Sequence, residues 1–325
     1  MRAILCTEFA DPPRLSVAAQ DCPAPSAGQV RVRVQAAAVS FMDLLMVQGR
    51  YQMRPPLPFV PGTDAAGVID AVGPDVTGLQ PGNRVICSDW TGAWAEQRLV
   101  AESQITPVPG GLDLETACTV RYAYGTAHYA LVECARLQPG ETVFVSGAAG
   151  GVGLATVDLA RHLGARVLAG VSSPERAAVA LSRGAEQVIV YGPGDLKAQL
   201  MALTGGRGVD IGVDQVGGEV FGGLSRAMAW GGRLLPIGFT SGSIPSLPAN
   251  LPLLKNYALV GAFWGAWSQR HPEPSARADR QLLAWIRAGQ LRPLVSEVLA
   301  LEQAAEALHR LGTRAVQGRL VLRVV

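Results

Sequence analysis

The sequence predicts an α/β protein in which a doubly wound parallel sheet is inserted into a mostly β module. Three stretches carry that reading. Residues 1 to about 120 hold short strand-like segments punctuated by Gly and Pro, residues 121 to about 262 alternate strand with helix, and the remainder returns through two helices to a closing strand. The expected domains are 1–120 together with 263–325, and 121–262.

In the first module Met1–Thr7, Val30–Ala36, Gly67–Val72, Asn83–Ser88 and Ala95–Val100 read as strands, bounded by turns such as Pro81-Gly82, with one helical stretch at Phe41–Gln48. In the inserted part, strands are expected near 142, 166, 186, 210 and 233 and helices near 152, 174, 195 and 218. Ligands of such sheets sit outside the carboxyl ends of the strands, which here read Ser146-Gly147, Val171-Ser172, Val190-Tyr191, Asp214-Gln215 and Ile237-Gly238. Helices Ser275–Ala288 and Leu301–Leu311 and a strand Leu320–Val325 would rejoin the first module.

The run from Glu141 to Ala160 reads as a buried strand, a glycine-rich turn and a helix. Against the dinucleotide fingerprint G-x-G-x-x-G it matches as Ala148-x-Gly150-x-x-Gly153, with alanine in the first glycine's place. Gly150 would let a pyrophosphate approach the backbone, Gly153 would let the helix pack on the strand, and the helix N-terminus would supply N–H donors. Alone, such a pattern is also an ordinary structural turn. About 20 residues on, where an NAD site places an acid for the ribose hydroxyls, the chain reads Val171-Ser-Ser-Pro-Glu-Arg176. Two hydroxyls and a guanidinium there suit the 2′-phosphate of NADPH; Ser172 and Ser173 also suit a helix N-cap, and Glu175 suits the first turn that follows.

With 325 residues, 49% apolar content and a formal charge of +2, the chain reads as a soluble globular protein of two domains. Scattered Lys and Arg offer no footprint for nucleic acid. No apolar run reaches a membrane span, and Glu8 precedes any signal-like core, so the cytoplasm is the expected compartment. Five cysteines without a C-x-x-C pair fit free thiols.

The order of parts, with Val39-Ser-Phe-Met-Asp43, Gln48-Gly-Arg-Tyr51, Leu57 to Gly67, Gly78 to Val85, Tyr124-Gly-Thr-Ala127, the Ala148–Gly153 loop and Leu203 to Asp210, resembles the zinc-independent quinone oxidoreductase branch of the medium-chain dehydrogenase/reductase superfamily, which also holds enoyl reductases. The resemblance covers nearly the whole chain and implies a Rossmann-type sheet in a GroES-like catalytic domain. Zinc-bearing relatives carry a Cys near Ser40 and a His-Glu pair at Thr63-Asp64, and the region from Ser88 to Gly111 lacks the cysteines of a structural zinc lobe, so no metal is expected.

The resemblance implies NADPH as cofactor and a quinone or α,β-unsaturated carbonyl as acceptor. Tyr51 and Asp43 are the catalytic candidates: Tyr51 either donates a proton or only lines the pocket, and Asp43 flanks the nicotinamide end with Phe41, Met42 and Thr126. Ala149, Gly150, Gly151 and Val152 would meet the pyrophosphate, and Ser172, Arg176 and Tyr191 the 2′-phosphate. Gln215, Ile237, Gly238 and Phe239 would line the crevice, with Phe263, Trp264, Gly265 and Arg314 reaching the cofactor from outside the sheet. Ser40 replaces a frequent Asn and Leu45 an occasional Tyr. Arg121 and Tyr124 either face substrate or, for Arg121, form an ion pair. The β-capable stretch Tyr257–Phe263 would be an open sheet edge, either pairing with its copy in a homodimer or covered by Ser246–Asn256. A 2-enoyl thioester reductase and a non-catalytic NADPH-binding sensor are the alternatives.

Overall fold

A computed structural model describes residues 1–192 and 195–324. Contacts divide the chain into two compact units, Met1–Tyr122 with Ala276–Gly289 and Pro293–Val325, and Ala123–Ser275 with Gln290–Arg292. The division places Phe263–Ser275 with the strand-and-helix unit, where the sequence boundary at 262 had assigned them to the β module. Val325, the expected end of the closing strand, lies outside the described residues.

The first unit is built on strands β1 (Arg2–Cys6), β2 (Leu15–Ala19), β3 (Gln29–Val39), β4 (Asp64–Val72), β5 (Arg84–Ser88), β6 (Gln97–Ala101) and β7 (Ile105–Pro107), with helices α1 (Phe41–Val47) and α2 (Leu114–Ala117). β3 shows why it is a strand: Val30, Val32 and Val34 point into the core while Arg31 and Arg33 alternate with them, Arg31 pairing with Asp70 on β4 at 2.7 Å. Later strands β14 (Val295–Ala300) and β15 (Arg319–Arg323) join it, giving a seven-stranded sheet in the order β14-β15-β3-β4-β5-β7 with β6 on β3. β1 and β2 form a separate antiparallel ribbon. The core is aliphatic, closed by the fully buried Trp94, whose indole N–H donates to Ala38 O at 3.2 Å.

The second unit begins within α3 (Val120–His128), which runs into a π-helical segment at Tyr129–Cys134. Its sheet holds β8 (Thr142–Val145), β9 (Arg166–Val171), β10 (Gln187–Val190), β11 (Val209–Asp214), β12 (Met228–Pro236) and β13 (Ala258–Leu259). All neighbours are parallel, in the order β10-β9-β8-β11-β12-β13, the doubly wound topology expected. Helices α4 (Gly151–His162), α5 (Pro174–Ser182), α6 (Leu196–Leu203), α7 (Gly218–Arg226), α8 (Asn250–Lys255) and α9 (Trp264–Arg270) connect or follow the strands. Of the edge stretch Tyr257–Phe263, only Ala258–Leu259 pairs as strand. The chain then passes through α10 (Pro272–Arg287) to β14, α11 (Ala304–Gly312) and β15. Among the described residues no helix is long and apolar enough to cross a membrane.

Candidate active site

The second unit carries the dinucleotide loop. β8 is buried on both faces and ends at Val145; after Ser146, Gly147 turns the chain at φ +60°, and α4 begins after its cap Gly150. The tight-turn glycine is therefore Gly147, one residue before the alanine aligned with that role. A Cβ on Gly153 would lie 2.2 Å from Gly147 O, so the residue is fixed by the close approach of helix and turn. A Cβ on Gly150 would meet only Gly147 O at 3.4 Å, which leaves the space above the loop open. The first N–H groups of α4 have no acceptor within the helix and present the positive end of its dipole there.

Around the loop the strand ends are tied together. The buried Asp214 carboxylate accepts from Ser146 Oγ, from Val216 N at 3.2 Å and from Gly217 N at 2.9 Å, and Ser146 Oγ accepts from Gln215 N at 2.8 Å. Burial pushes the Asp214 carboxyl up, against those hydrogen bonds. Ile237 N donates to Asp214 O at 2.7 Å and Thr240 N to Gln215 O at 3.0 Å, so Gln215, Ile237, Gly238 and Phe239 share one crossing of two turns.

Tyr191 reaches across the end of β9, and its hydroxyl accepts from Gly147 N at 2.9 Å. It can do so because residue 170 is glycine: a Cβ there would stand 2.5 Å from the phenol oxygen. Tyr191 thus braces the phosphate loop from below, a role the reading as a 2′-phosphate ligand had not included. A cavity of about 430 Å³ opens beside it between α6 and α7, floored by Ile189, Leu196 and Val220 and carrying the charged Asp195, Glu219 and Arg226.

Ser172 is exposed at the end of β9, and Arg176 lies in the first turn of α5. Ser173 is the backbone N-cap of that helix but makes no side-chain cap bond. Its hydroxyl bonds the Glu175 carboxylate, holding it below its usual range. Thr126 is buried on α3 and Trp264 packs over Gly125, while Phe263 is half exposed at the start of α9, before Gly265. Tyr124 does not face outward: its hydroxyl donates to the buried Asp158 at 2.7 Å.

The first unit holds Phe41, Met42, Asp43, Tyr51 and Arg314. Asp43, expected to flank the nicotinamide end, is engaged by its own unit. It is 1% exposed and closes a capping box on α1: Ser40 N and Ser40 Oγ donate to its Oδ2 at 2.7 and 2.6 Å, and Thr63 Oγ1 donates to Oδ1 at 2.9 Å. Burial pushes its carboxyl up, offset by these bonds. Both oxygens accept protein hydrogen bonds, so Asp43 fixes the start of α1.

Asp64 is likewise buried, accepting from Ser88 Oγ and from Tyr122 N at 3.0 Å. Arg98 donates to the carbonyls of Thr63 and Cys87 at 2.9 and 3.1 Å and so fixes this wall. Arg121 turns inward to Asp279 at 2.8 Å. Among the described residues no three His, Cys, Asp or Glu side chains converge as metal ligands would, and each oxygen of the Asp43 and Asp64 carboxylates already accepts from a protein donor. These residues do not fit a zinc ion.

Tyr51 is delivered by the stop of α1. Gly49, at φ +66°, donates to Met46 O at 3.0 Å and Arg50 N donates to Leu45 O at 2.8 Å, the paired bonds of a Schellman motif; Tyr51 N reaches the same Leu45 carbonyl at 3.2 Å. The half-buried phenol has its pKa raised by burial and by Asp43, so it is protonated at neutral pH. Its ring lies 6.4 Å from that of Trp90, tilted by 45°. Ser146 and Asp214 lie at strand ends the sequence had marked, whereas the contact of Trp90 with Tyr51 and the bracing role of Tyr191 left no signal in it.

Comparison with known proteins agrees with this architecture. Residues 26–110 match the alcohol dehydrogenase GroES-like domain family, and residues 151–278 the family described as zinc-binding dehydrogenase. The chain is 36% identical to quinone oxidoreductase-like protein 2 of Rattus norvegicus over 323 residues, which span 99% of this chain and 91% of that protein. Mycobacterial Rv1454c, solved with NADPH, superposes with a TM-score of 0.94 at 30% identity, covering all of both chains. Escherichia coli quinone oxidoreductase, also solved with NADPH, gives 0.92 at 26% identity and full coverage of both. The chain belongs to the medium-chain dehydrogenase/reductase superfamily, in its zinc-independent quinone oxidoreductase branch.

Proposed function

We propose that this protein is an NADPH-dependent oxidoreductase that reduces a quinone or an activated carbon–carbon double bond. The observation that carries the acceptor class is the engagement of both oxygens of Asp43 and of Asp64 by Ser40, Thr63, Ser88 and Tyr122, a set not arranged as metal ligands, which leaves the Tyr51 phenol beside Trp90 as the donor. An isolated ketone needs a Lewis acid or a strong donor for its developing alkoxide. A conjugated acceptor spreads that charge into an enolate or a hydroquinone anion, for which one neutral phenol suffices. NADPH, when bound, supplies the hydride.

The chain's own groups have distinct tasks. The Gly147–Gly153 turn and the N-terminus of α4 would hold the pyrophosphate, and Ser172 and Arg176 the 2′-phosphate. Two relatives of the same fold are solved with NADPH, which supports that cofactor. Tyr51 gives its proton to the reduced acceptor and recovers it from water, so that acceptor, hydride and one proton make the two-electron product. The test is to mix the protein with NADPH and a panel of quinones, enones and enoyl thioesters and follow absorbance at 340 nm. Turnover of enoyl thioesters alone selects that reductase, and tight NADPH binding with no turnover selects the sensor.

The same reading makes the protein a homodimer through β13. That strand is the edge of its sheet, Leu259 is 47% exposed, and Leu253, Leu254 and Ile244 of the same unit are more so. Light scattering on the purified protein should give twice the chain mass, and Leu259→Asp should halve it.

A further inference from the structure

We infer that Tyr129 and Trp267 are positioning residues of the cofactor site, whose stacked rings hold the segment Phe263–Gly265 at the nicotinamide half of the dinucleotide. The inference rests on the NADPH reading proposed above and adds two residues to it. The first observation is where that segment leaves the sheet. β13 runs parallel to β12 with Leu259 opposite Leu234, so the chain from Gly261 to Gly265 emerges on the same side of the sheet as the phosphate loop and the Ile237–Phe239 turn. With the 2′-phosphate at the end of β9 and the pyrophosphate after β8, a dinucleotide laid along the carboxyl ends points its nicotinamide toward β11, β12 and β13.

The second observation is how the segment is held. Trp264 packs over Gly125, where a Cβ would stand 2.9 Å from the indole. The rings of Tyr129 and Trp267 stack with centroids 4.7 Å apart and planes 27° from parallel. Cys134 Sγ donates to Gly261 O at 3.8 Å. Gly125 and Tyr129 are four residues apart and Trp264 and Trp267 three apart, the spacings that put each pair on one helix face. Cys134 comes five residues after Tyr129, which an α-helix would turn about 140° away. The π-helical turn Tyr129–Cys134 brings it back to that face, so the irregular turn supplies the third contact.

The third observation is that the segment has little regular structure of its own. β13 pairs over Ala258–Leu259 alone, and α9 has seven residues, too few for a helix to hold its place unaided. Its position is therefore set by what it packs on. The stack is the broadest of the three contacts, and both of its rings are half-buried.

The test measures, by calorimetry, the Kd of NADPH and of adenosine 2′,5′-bisphosphate, which lacks the nicotinamide half. Tyr129→Ala and Trp267→Leu should each weaken NADPH roughly 10-fold while the bisphosphate stays within about 2-fold. Tyr129→Phe keeps the ring and should bring NADPH back to within about 2-fold of wild type. The double variant Tyr129→Ala/Trp267→Leu should bind NADPH no worse than either single one, since both remove the same stack. A stack that serves only the fold would weaken both ligands alike, or lower the urea midpoint and leave both unchanged; either result overturns the inference. NADPH binding that needs the stack in a protein that turns over no acceptor keeps the inference and removes the proposed reaction; a wild type that binds no NADPH removes both.

Discussion

A Cβ on Gly153 would stand 2.2 Å from the carbonyl oxygen of Gly147, whereas one on Gly150 would clear the same atom by 3.4 Å. The two glycines of one loop therefore differ: the first is required by the packing of the fold, the second is not. Gly153→Ala should destabilise by about 1–3 kcal/mol, since a backbone atom must move. Gly150→Ala should keep stability within about 1 kcal/mol yet weaken NADPH at least 10-fold, because the methyl occupies the pyrophosphate's approach. Denaturant melts and fluorescence titration of NADPH separate the two.

Arg176 is set in the first turn of α5, next to a serine cap whose hydroxyl is not spent on capping. Charge-assisted hydrogen bonds contribute about 1.5–3 kcal/mol, so Arg176→Ala should raise the NADPH Kd roughly 10- to 100-fold. NADH binding should barely change. Equal losses for both cofactors would assign Arg176 to the fold.

The Tyr51 phenol is kept protonated by burial and by the nearby Asp43 charge. Tyr51→Phe should lower kcat on enones about 100-fold, the usual scale of a lost general acid, and on naphthoquinone less than 10-fold, since hydroquinone anions take protons from water readily. The NADPH KM should hold. Stopped-flow records of NADPH oxidation at saturating acceptor measure this.

His128 has its pKa lowered by burial, and its Nδ1 has no partner among the described residues. A depressed folded pKa means that the unfolded chain takes up the proton first, so stability is full above the unfolded value near 6.5 and falls as pH drops through the folded one. One proton gives a slope of at most about 1.4 kcal/mol per pH unit, less here because the ring is partly exposed. His128→Gln should flatten the urea midpoint between pH 7 and pH 5.

The strand, loop and helix at β8 and α4 were legible because burial on both faces leaves an apolar run and a ligand-bearing turn leaves glycines. β2 was not: its residues are largely exposed, so no alternation marks it. The helix α3 hides behind Gly125 and Thr126, poor helix formers retained because Trp264 packs on the glycine. Asp43 shows the deeper limit. Its residue type suggests chemistry, and the Ser40-x-x-Asp43 spacing already spelled a capping box, but only coordinates reveal that Thr63 takes the second oxygen. The contact between Trp90 and Tyr51 left no signal, since it joins rings 39 positions apart in the chain.

The phenol that lies over Gly170 ties two distant positions into one evolutionary unit. A lineage that gains any side chain at 170 must first give up the aromatic ring at 191, and one that loses the ring leaves 170 free to drift. Substitutions at these sites should therefore arrive in that order, and a tyrosine grafted onto a relative bearing alanine at 170 should loosen its nucleotide loop instead of steadying it.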